Sequence, residues 1–176
     1  MNKRVAVLAS AVVAMSALSV PALAEWRLDE GVAIVEPAGT NGTAELLAVM
    51  CGDPVQIEIY SRGGPVLPDG DDSAAADYFY LPGKVRAIVD GRSFPLAAGA
   101  SDQAVVLFSE GTKAENYLAP LRADFLEAVK SGGTLTLGFD VTPANGADGS
   151  PFETIASFPL EGSRAMIDQA LAGCAR

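Results

Sequence analysis

Residues 134–160 read TLTLGFDVTPANGADGSPFETIASFPL, and this stretch decides the fold. Apolar side chains stand at every second position near both of its ends, which is the spacing of strands with one buried face. The predicted buried positions are Leu135, Leu137, Phe139, Val141, Phe152, Thr154, Ala156, Phe158 and Leu160. The middle, residues 142–151, contains Pro143, Asn145-Gly146 and Asp148-Gly149 and predicts an irregular surface loop.

The same two-residue period recurs upstream. In residues 85–96, apolar side chains occupy every second position on either side of Asp90-Gly91. This pair tolerates positive φ, which makes it a strong hairpin signal. Further strands are predicted at residues 46–51, 55–60 and 104–108.

Two segments repeat their apolar residues at helical spacing. We expect one helix at residues 116–130, capped by Asn116 and with Pro120 in its first turn, where a missing N–H costs least. A second helix is expected at residues 163–173, with Ser163 as its cap. Its apolar stripe is formed by Met166, Ile167, Ala170, Leu171 and Cys174. Together these elements predict a strand-rich α+β fold: an antiparallel sheet or β-sandwich with two packed helices.

Residues 1–24 have the three parts of a cleavable secretory signal peptide. Lys3-Arg4 give a positive start, residues 5–20 are apolar, and a small-x-small cleavage site ends at Ala24. An uncleaved N-terminal anchor is the alternative, but the apolar run falls short of the about 20 residues that span a bilayer. The Ala-rich leader is typical of Gram-negative bacteria, so we expect a periplasmic location.

The net charge of the mature chain limits the classes of partner that we expect. Residues 25–176, expected to form a single globular domain, lack Lys3 and Arg4, so the net charge changes from −10 to −12. Nucleic acids and anionic membrane surfaces are bound by clustered Lys and Arg, so neither is an expected partner. No membrane span is expected after cleavage. The acidity favours solubility, and a basic protein partner is the alternative interpretation.

The mature chain contains two cysteines, Cys51 and Cys174. In an oxidising compartment an isolated pair predicts a structural disulfide, here between an early strand and the C-terminal helix. A redox pair is the alternative, but such pairs normally have a Cys-x-x-Cys spacing, which this sequence lacks.

The sequence contains no histidine, which excludes Ser-His-Asp triads, Cys-His nucleophiles and the usual zinc sites. It also lacks a Ser-x-x-Lys pair, a Gly-x-Ser-x-Gly elbow and a phosphate-binding Gly-x-x-x-x-Gly-Lys loop. Carboxylate chemistry remains, but the acid pair of a glycosidase has no linear motif. We therefore predict no catalytic residue and no cofactor.

Residues 61–77 predict a second loop, rich in Gly, Pro and Asp. Since calcium prefers oxygen ligands, the candidate metal ligands in this loop are Asp69, Asp71, Asp72 and Asp77. The spacing departs from an EF-hand, because Ala74 stands where glycine is required and Tyr80 where the bidentate glutamate is required. A solvated acidic loop is the simpler interpretation.

Two aromatic features allow a structural and a binding interpretation. Tyr78-Phe79-Tyr80-Leu81 is apolar on both alternating faces, which favours a buried or sheet-switching strand over a binding patch. Trp26 is expected to pack on the sheet rather than to stand exposed as an anchor.

Short segments resemble two families of small periplasmic proteins. They are Trp26, the strand at 46–51 followed by Ile57 and Ile59, and the ending FPLEGS at 158–163 before a helix that reaches Cys174. In these features the chain resembles the invasion-associated locus B family and the type VI secretion accessory protein TagO. The resemblance implies a disulfide-tied, β-rich domain that acts by protein contact and carries no catalytic residues. The chain departs from these families in its strong acidity and in having two cysteines only.

We therefore expect an exported periplasmic, non-enzymatic binding or accessory module that contacts another envelope protein. One alternative is a carboxylate-based hydrolase acting on envelope polymers. Another is a domain stabilised by calcium at residues 69–77.

Overall fold

The structure is a computed structural model and describes residues 24–62, 80–101 and 104–174. It has the predicted strand-rich α+β fold, an antiparallel sheet with two helices packed against it. The strands are β1 (Arg27–Asp29), β2 (Val32–Val35), β3 (Gly39–Thr40), β4 (Ala44–Met50), β5 (Gln56–Ser61), β6 (Val85–Val89), β7 (Arg92–Ser101), β8 (Ala104–Glu110), β9 (Leu118–Ala119), β10 (Thr134–Asn145) and β11 (Pro151–Pro159). The helices are α1 (Ala123–Ser131) and α2 (Ser163–Leu171), and a 3₁₀ turn spans Lys113–Glu115. Within the described ranges, no helix has the length and apolar character needed to cross a membrane.

The strands form one sheet in the order β1-β2-β4-β5-β8-β7-β6-β10-β11-β3, with β9 beside β8. Strand β3 lies between β2 and β4 in the chain, yet it pairs with β11 at the other end of the sheet. The sheet therefore coils until its two ends approach each other. There the indole Nε1–H of Trp26 donates to the carbonyl oxygen of Pro159 at 2.8 Å. Trp26 is 4% exposed, which confirms that it packs on the sheet.

The concave face of the coiled sheet encloses one hydrophobic core. Leu135, Leu137 and Phe139 of β10 are fully buried, and Ala156 and Phe158 of β11 lie beside them in the same core, as the alternation predicts. Residues of β2, β4, β5, β6, β7 and β8 complete it from the rest of the sheet. The two-residue period therefore predicted the buried face of the central strands correctly.

Half of the predicted loop at residues 142–151 is strand, and residues 146–150 form the irregular turn. Strand β10 continues to Asn145, which pairs with Pro151, and only the residues between them turn. The register shifts between Asp140 and Asn145, and such a bulge accommodates Pro143, which has no N–H for a ladder. Phe152 lies beyond this irregularity and is 53% exposed, so its predicted burial was wrong.

Two hairpins close through two-residue turns with positive φ at both positions. The predicted turn has φ of 47° at Asp90 and 85° at Gly91, and the turn between β1 and β2 has 47° at Glu30 and 86° at Gly31. Residue patterns did not predict the second hairpin, because glutamate rarely adopts the left-handed conformation. Asp90 also accepts backbone hydrogen bonds from Gly133 and Thr134, which fixes the link from α1 to β10.

Helix α1 begins at Ala123 rather than at Asn116, so the predicted start was wrong. Asn116 has a φ of 50°, and Leu118–Ala119 pair with β8 as strand β9. Pro120 disfavours the helical conformation in the residue before it, so the helix starts only after this proline. The remaining part of the prediction holds, since Phe125 is buried and the helix ends at Ser131.

Helix α2 spans Ser163–Leu171, close to its predicted range, and buries Ile167 and Ala170. Its predicted cap was wrong: Gly162 precedes the helix with a φ of 82°, and Ser163 is its first residue. The Ser163 hydroxyl is fully buried and donates to the carbonyl oxygen of Val129 in α1 at 2.9 Å. This bond satisfies a carbonyl near the end of α1 and joins the two helices.

Candidate functional site

Several predicted features lie outside the described residues. They are the leader at residues 1–23, the candidate calcium ligands Asp69, Asp71, Asp72 and Asp77, and Tyr78-Phe79. Tyr80 and Leu81 are described, and they lie in a turn rather than in the predicted strand. In the described ranges, no group of three or more His, Cys, Asp or Glu residues could hold a metal ion.

Cys51 and Cys174 form the predicted disulfide, with an S–S distance of 2.02 Å and a Cα–Cα distance of 5.4 Å. Cys51 follows β4, and Cys174 follows α2. The bridge therefore fastens the end of the last helix to the β1-β2-β4 side of the sheet, against which α2 packs.

A surface cleft of about 180 Å³ lies between β7 and the start of α1. We call it the β7–α1 cleft, and its walls are formed by Arg92, Ser93, Pro95, Ser109, Arg122 and Asp124. Its floor is aromatic, because the buried rings of Phe94 and Phe125 lie with centroids 5.2 Å apart. The guanidinium carbon of Arg92 lies 4.4 Å from the centroid of the Phe94 ring, a cation–π distance.

Two arginines converge on one carboxylate at the rim of this cleft. Nη2 of Arg92 donates to Oδ2 of Asp124 at 2.6 Å. Nε and Nη2 of Arg122 donate to Oδ1 and Oδ2 of Asp124 at 3.0 and 3.3 Å. The arginine side chains are 60% and 73% exposed, so both remain accessible from solvent at the cleft rim.

Local sequence explains how these charges meet. The Asp90-Gly91 turn places Arg92 at the first position of β7. Arg122 is the N-cap residue of α1, and its backbone N–H donates to the hydroxyl of Ser109 in β8 at 3.0 Å. Asp124 lies in the first turn of the same helix, where a negative charge is favourable.

The edge of β7 that faces the cleft is unpaired over its first residues. In a hairpin with a two-residue turn, Val89 and Arg92 form a hydrogen-bonded pair. Every second residue of β7 then bonds to β6, so Arg92 and Phe94 do so and the residues that alternate with them do not. The backbone groups of Ser93 and Pro95 therefore point away from β6, toward the cleft. Strand β8 pairs with β7 only from Leu96 onward, so no described strand occupies this part of the edge.

The electrostatics of the cluster favour the charged forms of Arg122 and Asp124. The hydrogen bond from Arg122, with further contributions from the charges of Arg122 and Arg92, holds the pKa of Asp124 below its ordinary value. The same hydrogen bond raises the pKa of Arg122. Two guanidinium groups thus face a single carboxylate, which makes the cleft locally positive on a strongly acidic chain.

A second depression, of about 490 Å³, is lined by Glu36, Pro37, Glu45 and Leu46. Both glutamates are paired with arginines, Glu36 with Arg27 at 3.3 Å and Glu45 with Arg62 at 2.8 Å. These charges are matched one to one, so the described residues give this depression no charge excess comparable to that of the arginine pair.

The most buried carboxylates in the described residues are Glu58 and Asp140, which are 7% and 9% exposed. They lie on β5 and β10, which are not neighbours in the sheet. Asp140 forms an ion pair with Lys84 at 3.0 Å. Asp140 lies opposite Glu153 in the register of β10 with β11, and Glu153 is paired with Arg86 at 2.6 Å. Each carboxylate of this adjacent pair is therefore matched by a basic side chain.

Sequence reasoning missed the arginine cluster altogether. Arg92 and Arg122 are separated in the chain and belong to no motif. The overall acidity of the chain directs a search for charged sites to the aspartate-rich loop at residues 61–77 instead. The available signals were weak: an arginine directly after a hairpin turn, and an Arg-x-Asp sequence at the start of a helix.

Comparison with family models, with curated proteins and with solved structures gives no match. The resemblance to the invasion-associated locus B family and to TagO therefore stays a prediction based on the residues quoted for it.

Proposed function

We propose that this protein is an exported, non-enzymatic binding module that contacts another protein of the cell envelope, with the periplasm as its compartment. The observation that carries the proposal is the β7–α1 cleft, which combines an arginine pair with an unpaired strand edge. Such features recognise a partner through charge and backbone hydrogen bonds without a reactive group. The disulfide suits an oxidising compartment, and the sequence of residues 1–24 suits export.

Affinity capture tests this function. The mature chain, residues 25–176 with the disulfide intact, is immobilised and exposed to a native envelope extract. We expect an envelope protein to be retained, and the same protein, purified separately, to bind the domain in solution. A matched acidic periplasmic domain of unrelated sequence serves as the control for charge-driven retention. Failure to retain any envelope protein above this control contradicts the proposal.

A parallel assay addresses the hydrolase alternative. The purified domain is incubated with isolated envelope polymers, and soluble fragments are measured over time. We expect no release above a heat-denatured sample. Release that depends on a carboxylate side chain would overturn the binding-module proposal in favour of the hydrolase.

A further inference from the structure

We propose that the β7–α1 cleft binds an extended acidic peptide segment of a partner protein. The segment adds to the unpaired edge of β7 and places a carboxylate side chain between Arg92 and Arg122. This inference rests on the proposed binding function and names the chemistry of the bound segment.

The backbone part of the recognition comes from the edge of β7. Ser93 presents an N–H and a carbonyl group toward the cleft, while Pro95 presents only a carbonyl group. Ser93 and Pro95 are both exposed, so the edge is accessible to another chain. An extended peptide can exchange hydrogen bonds with Ser93 as an added strand does in β-augmentation. Pro95 limits the contact to a short segment, which also protects the edge from unlimited strand addition.

The neighbouring elements limit the length of the segment that the β7–α1 cleft can accept. Strand β8 occupies the edge of β7 from Leu96 onward, and the backbone bond from Arg122 to Ser109 closes that end of the cleft. A bound segment therefore lies beside residues 92–95 and is stopped at Ser109. This arrangement suits a few extended residues better than a helix or a folded surface.

The charge part of the recognition comes from the two arginines. Guanidinium groups present planar sets of donors that match carboxylates, and Asp124 accepts from only part of each set. The net charge of −12 on the mature chain does not prevent the approach of an acidic segment. Exposed charges are screened beyond about 8 Å at physiological ionic strength, so the local arginine pair dominates in the cleft.

The aromatic floor adds a preference for a partly apolar segment. Phe94 and Phe125 are themselves buried, and the guanidinium group of Arg92 lies over the Phe94 ring. In an added strand, side chains alternate between the two faces of the sheet. We therefore expect an acidic residue flanked by apolar or β-branched residues in the bound segment.

The test begins with a random peptide library selected on the immobilised mature domain. We expect enriched peptides that contain an acidic residue within an extended, β-prone segment. The most enriched peptide is then synthesised and titrated against wild type, Arg92→Gln and Arg122→Gln. Each substitution is expected to weaken binding by about tenfold, as for the loss of one charge-assisted hydrogen bond. Arg27→Gln is the matched control, because Arg27 is also an exposed arginine in an ion pair, and it should bind like wild type.

Two further measurements separate recognition from a merely structural role. Asp124→Asn removes the resident carboxylate that competes for the arginines, so the acidic peptide should bind several-fold more tightly than to wild type. Hydrogen exchange of the Ser93 amide should slow when the peptide binds, because its N–H becomes bonded to the added chain.

The inference is overturned if no peptide is enriched, if the enriched peptides lack acids, or if both arginine variants bind like Arg27→Gln. Protection of other amides in place of Ser93 would also contradict it. These failures differ from failure of the proposed function. An envelope partner captured equally well by wild type and both arginine variants would leave the binding module in place and remove the cleft as its site.

Discussion

At the scale of single residues, Trp26 joins the two ends of the coiled sheet through its bond to Pro159. Replacing Trp26 with Phe keeps an aromatic ring but leaves the partly buried carbonyl of Pro159 without this donor. We expect the free energy of unfolding to fall by about 1–2 kcal/mol. Urea unfolding followed by circular dichroism measures this change.

The control for this prediction is Trp26→Ala, which also removes the packed ring. Trp26→Ala should lower the free energy of unfolding by about 3–5 kcal/mol, as other truncations of large aromatic residues in a core do. If Trp26→Phe were as stable as wild type, the hydrogen bond would have no part in closing the sheet.

Asp168 gives a prediction about acid stability. Its hydrogen bond from Lys130, at 2.8 Å, lowers its pKa below the ordinary value. A carboxyl group with a lowered pKa in the folded state stabilises the protein above its unfolded pKa of about 4 and loses that contribution as the pH falls through the folded pKa. We therefore expect Asp168→Asn to lower the melting temperature at pH 7, and the difference from wild type to vanish near pH 2.

Glu25→Gln is the matched control for Asp168→Asn. Glu25 is exposed and forms no ion pair with another described residue, so its neutralisation relieves repulsion on an acidic chain. Its melting temperature at pH 7 should equal or slightly exceed that of wild type. A loss equal to that of Asp168→Asn would mean that the Lys130 contact contributes nothing specific.

At the scale of secondary-structure elements, the hairpin between β1 and β2 has an unfavourable turn residue. Glu30 adopts a φ of 47°, which asparagine tolerates better than glutamate. Glu30→Asn should therefore stabilise the protein by about 0.5–1 kcal/mol, measured as an increase in the urea midpoint at unchanged slope.

Glu25→Asn is the control for this turn prediction, because it makes the same change of residue at a position whose φ is not positive. It should leave the midpoint nearly unchanged. Equal stabilisation by both variants would point to charge rather than to backbone conformation.

At the scale of the whole molecule, the disulfide joins residues separated by 123 positions in the chain. Restricting so long a loop in the unfolded chain stabilises the native state by about 5 kcal/mol in the chain-entropy account, and measured values are often lower. We expect the double variant Cys51→Ala with Cys174→Ala to lose about 3–5 kcal/mol in the free energy of unfolding.

A reducing agent supplies the control for the double variant. It should destabilise wild type by a similar amount and leave the variant unchanged. Equal stability of wild type and variant would show that packing of α2 on the sheet, and not the bridge, holds the C-terminus.

The amino-acid sequence by itself determined the periodic features of this protein. Alternation in residues 134–141 specified a buried strand face, Asp90-Gly91 specified a hairpin, and the lone pair Cys51 and Cys174 specified a bridge. These follow from local rules, because strand period, turn conformation and cysteine pairing depend on neighbours in the chain or on compartment.

Tertiary structure alone decided the start of α1 and the coil of the sheet. Pairing of Leu118–Ala119 with β8 outweighed helical spacing in that segment, and β3 crossed to β11 without any sequence signal. It also decided the β7–α1 cleft. Arg122 lies two residues before Asp124, but only the packing of α1 beside β7 brings the distant Arg92 within hydrogen-bonding distance of the same carboxylate. Contacts between distant segments depend on the whole arrangement of the sheet, which no local pattern encodes.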